Sequence, residues 1–332
     1  MTNTFRIFGS ELSPYSVKVR SYFRYKQIPH QWILRSPAVQ AEFDKYAKLP
    51  LVPLVVTPDG QGIQDSTPII ETMEAKFARP SIMPGDNTLV FLSALIEEYA
   101  DEWGNKPMFH YRWTYPPNQD SAAERIAAQM AGEGAGSQQI TMVAQAIKQR
   151  MVPRLAFVGS SAETAEAIEG SFQRQLAILE KHLANRPYLF GARPALGDFG
   201  LFAQLYELQS DPTPKQIMTR FPNVAAWIER MLDPKDLGPF ERWEALEPTL
   251  MPLLKDEIAA VFLPWSDANA KALATGQESF TVELEDRPFS QQVQKYHARS
   301  LGEIRRKYAS AAGEDRLRDV LERSSCLKWL KG

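Results

Sequence analysis

The sequence predicts an α/β domain of about eighty residues, then an all-α helical bundle and a C-terminal extension. Two observations carry this expectation. Short apolar, β-branched runs alternate with helix signals as far as Pro80, and after the interruption Pro80 to Asn87 the apolar residues recur at helical spacing to about residue 235. A third is length: 332 residues are too many for one average domain, so two domains, or two and an extension, are expected. The boundaries fall at 1–80, 88–238 and 239–332.

Phe5 to Phe8 reads as the first strand, and Pro14 stands where the first turn of a helix accepts a residue without an N–H. The strand feeds that helix through Ser13. Such a geometry aims unpaired N–H groups and the positive end of the helix dipole at whatever lies beside the Ser13 hydroxyl, and an anion there is stabilised. Ile28 to Leu34 alternates as a second strand, and Pro37 to Leu49 reads as a short helix or loop. Val52 to Thr57 is a β-branched strand, Asp59-Gly60 a hairpin signal, and Gly62 to Asp65 its antiparallel partner. Ser66 caps a helix whose Ile69, Ile70, Met73 and Phe77 share one face and which ends near Arg79-Pro80.

Five amphipathic stripes follow. Leu89, Leu92, Ile96, Tyr99 and Trp103 form the first, and Ile140, Val143, Ala144, Ile147 and Met151 the second. Phe172 to Leu183, Phe199 to Tyr206 and Val224 to Met231 repeat the pattern. Between the first two lies an aromatic insertion, Phe109 to Pro117, too proline-rich at its end to continue as helix. In the extension, Leu250 to Ala274 reads as one or two helices broken near Pro264. Phe280 to Leu284 reads as a strand, Asp286-Arg287 as a turn and Gln291 to Ala312 as helix.

Hydrophobic residues at 44%, charged residues at 23% and a net charge of −2 give no general pull toward nucleic acid or an anionic membrane. Small molecules or proteins are the default partners. A single cysteine, Cys326, rules out an internal disulfide or a CxxC pair, and no stretch approaches a membrane span, which is consistent with a cytoplasmic protein. The basic residues after Arg299 are interspersed with acidic ones and read as a solvated helix face.

Four stretches resemble the cytosolic glutathione transferase family: Ser13-Pro14-Tyr15-Ser16 with Val19-Arg20, Leu51 to Val55, Gln64 to Ile70, and Tyr188 to Phe199. The resemblance covers roughly residues 4 to 235 and leaves the extension unexplained. It implies a thioredoxin-like N-terminal domain with a mixed four-stranded sheet, an all-helical second domain, a homodimer, and glutathione as co-substrate with no metal. Ser13-Pro14-Tyr15-Ser16 looks like a glutaredoxin CPYC site with both cysteines replaced by serine. Thiol–disulfide exchange by an enzyme cysteine is then lost, and a hydroxyl donor remains. In serine-type relatives the matching serine hydrogen-bonds the glutathione sulfur and lowers its pKa, which makes Ser13 the catalytic candidate; Ser10 and Ser16 are possible substitutes. Read alone, Ser13 is an N-cap.

Val52-Pro53 matches the family's cis-proline, which frees the Val52 backbone to pair with the cysteinyl unit. Asp65-Ser66 matches its Glu-Ser pair, where the hydroxyl and helix N-terminus receive the γ-glutamyl carboxylate and the acidic side chain balances the ammonium. Many relatives carry Lys or Arg where this chain has Leu51, so Lys48 or Lys45 is the substitute cation for the glycine carboxylate. Ala195 replaces the family's usual Ser or Thr, so half a capping box is missing and the helix start weakens by roughly 1 kcal/mol.

An electrophilic small molecule is expected between the domains, against Trp103 and the insertion's Phe109, Tyr111 and Trp113. An aromatic at helical spacing is more often core, which applies to Trp103; the insertion's rings follow no stripe. His110 has no metal-ligand spacing around it. The implied activity is transfer of glutathione to a hydrophobic electrophile. The alternatives are a glutathione-dependent lyase, isomerase or ether-cleaving enzyme, and a non-catalytic binding protein of the same fold.

Overall fold

The structure is a computed structural model that describes residues 4–132 and 134–331. Strand β1 (Phe5–Gly9) leads through Ser13 into α1 (Pro14–Tyr25), with Pro14 in the first helical turn. The chain returns as β2 (His30–Leu34), parallel to β1. A 3₁₀ turn and the short helix α2 (Gln40–Asp44) precede β3 (Leu54–Val56), which is antiparallel to β1 and joins β4 (Gly62–Gln64) in a hairpin. The sheet is mixed and four-stranded, in the order β2-β1-β3-β4. Gly60, at φ +84° in the hairpin turn, occupies a conformation that a side chain disfavours. Helix α3 (Ser66–Lys76) stops short of Arg79-Pro80 because Phe77 leaves helical geometry at φ −121°, ψ 76°.

The five stripes become α4 (Asn87–Glu102), α7 (Ser137–Met151), α8 (Ala165–His182), α9 (Leu196–Gln209) and α11 (Pro222–Leu232), with α5 (Asn105–Thr114), α6 (Pro116–Ala131) and α10 (Pro212–Met218) between them. The aromatic insertion is a correction: its rings lie on a helix, α5, to Thr114. The chain turns only at Tyr115, and the proline pair starts α6, where a missing N–H is tolerated. At α9, Asp198 accepts from the Ala195 backbone N–H at 2.9 Å, so the acidic half of the capping box forms while Ala195 offers no acceptor of its own.

The extension contains α12 (Trp243–Pro252), a wide π-helical stretch from Leu253 to Phe262, and α13 (Leu263–Ala274). A hairpin of β5 (Ser279–Leu284) and β6 (Arg287–Gln292) follows, then α14 (Lys295–Ala311), α15 (Asp315–Arg323) and α16 (Leu327–Leu330). The expected helix from Gln291 is a second correction. Glu285 and Asp286, at φ 52° and 61°, make a two-residue turn that sends the chain back as a strand, and helix begins only at Lys295. One hydrophobic core runs from Phe5 through the helical bundle to Leu330. Trp265 and Phe289 of the extension pack on Trp103, with ring centroids 5.7 and 5.5 Å away.

Candidate active site

A cavity of about 720 Å³ lies where the loop before β3, the start of α3, the α4–α5 junction and the first turn of α14 meet. Lys48, Val52, Pro53, Asp65 and Ser66 all line it, and the Val52–Pro53 bond is cis. Gln64, which sequence reasoning quoted but gave no role, shapes the loop side. Its Oε1 accepts from the backbone N–H groups of Lys48 at 2.6 Å and Leu49 at 2.9 Å. Its Nε2 donates to the carbonyls of Leu49 and Leu51, each at 2.8 Å. This clamp brings exposed Lys48 to the cavity; Lys45 is not part of the lining. Leu51, at 61% exposure, offers only apolar surface there.

Ser13 is the N-cap of α1, extended at φ −115°, ψ 112°. Its Oγ accepts from the Ser16 N–H at 3.4 Å, and among the described residues its hydroxyl proton has no acceptor. Ser13 is not among the residues lining the cavity, whereas Tyr15 is. The Tyr15 hydroxyl donates to the Asp101 carbonyl at 2.9 Å and accepts from Asn105 Nδ2 at 3.2 Å. Burial, then the nearby Asp101 charge, push the phenol well above its usual range, so it stays protonated. Of the substitutes, Ser10 donates to Gln129 Oε1 at 3.1 Å and Ser16 is fully buried.

Behind Ser66 sits a group that sequence reasoning missed. Lys18, fully buried on α1, pairs with Glu97 and with Asp101 Oδ2 at 2.6 Å, and donates to Ser66 Oγ at 3.4 Å and Thr67 Oγ1 at 3.3 Å. Burial alone pulls its pKa down, but the two carboxylates more than offset this and hold the ammonium above its usual range. Burial raises the Asp101 carboxyl to about 7, against the pull of Lys18. Asp65 has φ +78° and makes no side-chain cap to α3; its Oδ2 accepts instead from the Tyr296 hydroxyl at 2.8 Å. The expected Ser66 cap is therefore not made: Ser66 is the first residue of α3, and its hydroxyl faces Lys18.

The expected aromatic pocket is corrected by burial. Trp103 is wholly buried, its Nε1 donating to Ser171 Oγ at 2.9 Å, and Tyr111 and Trp113 are buried to the same degree. Tyr111 packs on Phe172 at 5.3 Å, and half-buried Phe109 packs on Trp113 at 6.3 Å. None of the four lines the cavity. The wall facing Val52 and Pro53 is made of Tyr15, Asp101, Glu102, Asn105, Tyr296 and His297 instead. His110 is buried between Ser160 and Glu169. Among the described residues, no group of three or more His, Cys, Asp and Glu side chains is placed to hold a metal ion. No described helix is long and apolar enough to cross a membrane.

Comparison with known proteins matches residues 12–76 to the glutathione S-transferase N-terminal domain and residues 162–230 to the glutathione S-transferase C-terminal domain. The chain is similar to an isoprene-epoxide–glutathione S-transferase of Rhodococcus sp. strain AD45, 24% identical over 237 residues, covering 68% of this chain and 94% of the relative. Among solved structures, the beta-etherase LigF of Sphingobium sp. strain SYK-6 is 18% identical, with a TM-score of 0.50 over 68% of this chain and 94% of that one. A glutathione S-transferase from Methylobacterium radiotolerans, solved with glutathione sulfonate, is 20% identical, with a TM-score of 0.43 over 72% of this chain and 96% of that one. With both domain models matched in order on a mixed four-stranded sheet and a helical bundle, the chain belongs to the glutathione S-transferase family.

Proposed function

We propose that the protein binds glutathione in the cavity beside Val52–Pro53 and directs its thiolate onto an electrophilic carbon of a second substrate. The carrying observation is the convergence of four features on one cavity: the Val52–Pro53 backbone, the start of α3 at Ser66, the Asp65 carboxylate and the Lys48 ammonium. They match, in type, the extended cysteinyl unit, the γ-glutamyl carboxylate, its ammonium and the glycine carboxylate of a zwitterionic tripeptide. Ser13, heading α1 with its hydroxyl proton uncommitted, is the proposed donor to sulfur. The thiol proton leaves to solvent, a carbon–sulfur bond forms, and either a leaving group departs with its electron pair or a strained ring opens.

One observation favours a particular kind of electrophile. Leu49, Leu51 and Ile63 give the cavity apolar area, but the facing wall carries Tyr15, Asp101, Asn105 and His297. An apolar molecule with a reactive oxygen, such as an epoxide or an aryl ether, fits that pairing better than a bare aromatic. The epoxide and ether chemistry in the names of two relatives runs the same way. The family resemblance further suggests a cytoplasmic homodimer.

The test is calorimetric titration with glutathione, followed by ultraviolet difference spectra of the complex across pH. Thiolate absorbance appearing below the pH at which free glutathione ionises is expected. An absence of binding at millimolar glutathione refutes the proposal.

A further inference from the structure

We infer that the C-terminal extension is part of the glutathione site and that Tyr296 is a positioning residue, holding Asp65 in the orientation that receives the γ-glutamyl ammonium. The inference rests on the glutathione reading above and adds to it a residue outside the region that the family models match.

Asp65 is exposed and makes no capping bond to α3, so its own helix does not fix its carboxylate. The Tyr296 hydroxyl does, donating to Oδ2 at 2.8 Å. A carboxylate accepts at both oxygens, and among the described residues Oδ1 has no donor. One oxygen is thus anchored while the other stays open to a cation. The phenol is suited to the anchoring role: although Tyr296 is 57% exposed, partial desolvation and the Asp65 charge raise it above its usual range, so it is a donor at neutral pH.

Tyr296 is not on a loose tail. Two residues before it, Gln294 is gripped by Asn269, whose Nδ2 donates to the Gln294 carbonyl at 2.9 Å and whose Oδ1 accepts its N–H at 2.8 Å. The next residue, His297, bonds to Glu102 through Nδ1 and packs edge-on against Trp265 with centroids 4.9 Å apart. Farther along α14, Leu301 and Ile304 are buried and Lys307 pairs with Glu71 of α3 at 2.8 Å. The helix that carries the phenol is therefore docked on both α3 and α4. Tyr296 and His297 line the same cavity as Val52, Pro53 and Ser66. The same contacts also explain why Asp suffices where the family pattern has the longer Glu: a second residue holds the short side chain in place.

The experiment uses the full chain and two probes: glutathione, and γ-glutaryl-cysteinyl-glycine, which lacks only the amine. Calorimetry gives both affinities for the wild type, Tyr296→Phe, Asp65→Asn and the double variant. The wild type is expected to prefer glutathione. Tyr296→Phe should cut that preference roughly 10-fold, the worth of one hydrogen bond to a charged group, and leave the analogue's affinity unchanged. Asp65→Asn should abolish the preference, with Tyr296→Phe adding nothing on top of it. An unchanged preference in Tyr296→Phe overturns the inference. So does an increased one, which would make the phenol a competitor of the ammonium. A wild type that binds both probes equally overturns this inference alone, whereas one that binds neither overturns the glutathione reading and this inference with it.

Discussion

The Lys18 ammonium, wholly buried, lies 2.6 Å from Asp101 Oδ2 and 3.4 Å from Ser66 Oγ, so one cation ties α1 both to the helical domain and to the start of α3. Glu97 shares it. Replacing Lys18 with Met leaves two buried carboxylates uncompensated, and breaking a buried pair in this way costs about 3–5 kcal/mol. The expected outcome is a urea midpoint lowered accordingly at unchanged slope, with Asp101→Asn partly restoring it. A Lys18→Met protein as stable as the wild type would mean that the cluster is solvated rather than sealed.

The proposed roles assign Ser13 to catalysis, as donor to sulfur, and Ser66 to binding. Ser13→Ala removes a donor to sulfur and should lower turnover roughly 10- to 100-fold while glutathione affinity holds, because the interaction matters most to the thiolate. Ser66→Ala should do the reverse, weakening binding about 10-fold with turnover largely kept. Steady-state kinetics with a generic aryl halide, alongside calorimetry, reads both. Unchanged turnover in Ser13→Ala moves the donor role to another hydroxyl; Tyr15, Ser66 and Tyr296 carry the hydroxyls of the cavity lining.

Most of the sheet domain was legible because its signals are local: Pro14 in a first turn, a β-branched run before Asp59-Gly60, and polar residues opening α3. The groups that complete the site were not. Lys18 sits between two buried valines and its carboxylate partners are 79 and 83 residues away in sequence; Tyr296 is 231 residues from Asp65. No periodicity encodes such pairings. The aromatic cluster misled for a related reason. On α5 the rings point in several directions, as they must on a helix packed by neighbours on most sides, and without a stripe they read as an insertion lining a pocket. Strand β6, with Arg287, Pro288 and two glutamines, is stabilised by pairing with β5 and by Phe289 in the core rather than by its own propensity.

His182 predicts how acid acts on the fold. It has no exposure, one ring nitrogen facing the Leu189 carbonyl and the other the Thr249 hydroxyl, each at 2.8 Å. Burial lowers its pKa from 6.5 to about 4. The unfolded chain therefore takes up this proton first as pH falls, so the contribution is present above pH 6.5 and is lost progressively down to about 4. A shift of this size corresponds to at most about 3 kcal/mol. His182→Gln should flatten the stability profile across that window relative to the wild type, measured by urea unfolding at stepped pH. Parallel profiles would show that other groups control the acid limb.

The extension is expected to be inseparable from the fold. Trp103 of the helical domain is buried against Trp265 and Phe289, and Leu253, Leu254, Ile258 and Phe262 belong to the same core. Burying a large apolar side chain is worth about 1.5–3 kcal/mol, so stripping away several at once exceeds the ~5–15 kcal/mol by which a protein is stable. Deletion of residues 250–332 should accordingly give a chain with no cooperative thermal transition and no near-ultraviolet dichroism. Trp265→Ala makes the argument quantitative: it should keep a cooperative transition but lose about 3–5 kcal/mol, as large core truncations do. It should also weaken glutathione binding, because His297 of the cavity wall packs on that ring. A deleted protein that melts cooperatively would instead make the first two parts of the chain a self-sufficient unit, with the extension an addition that covers the site without supporting it.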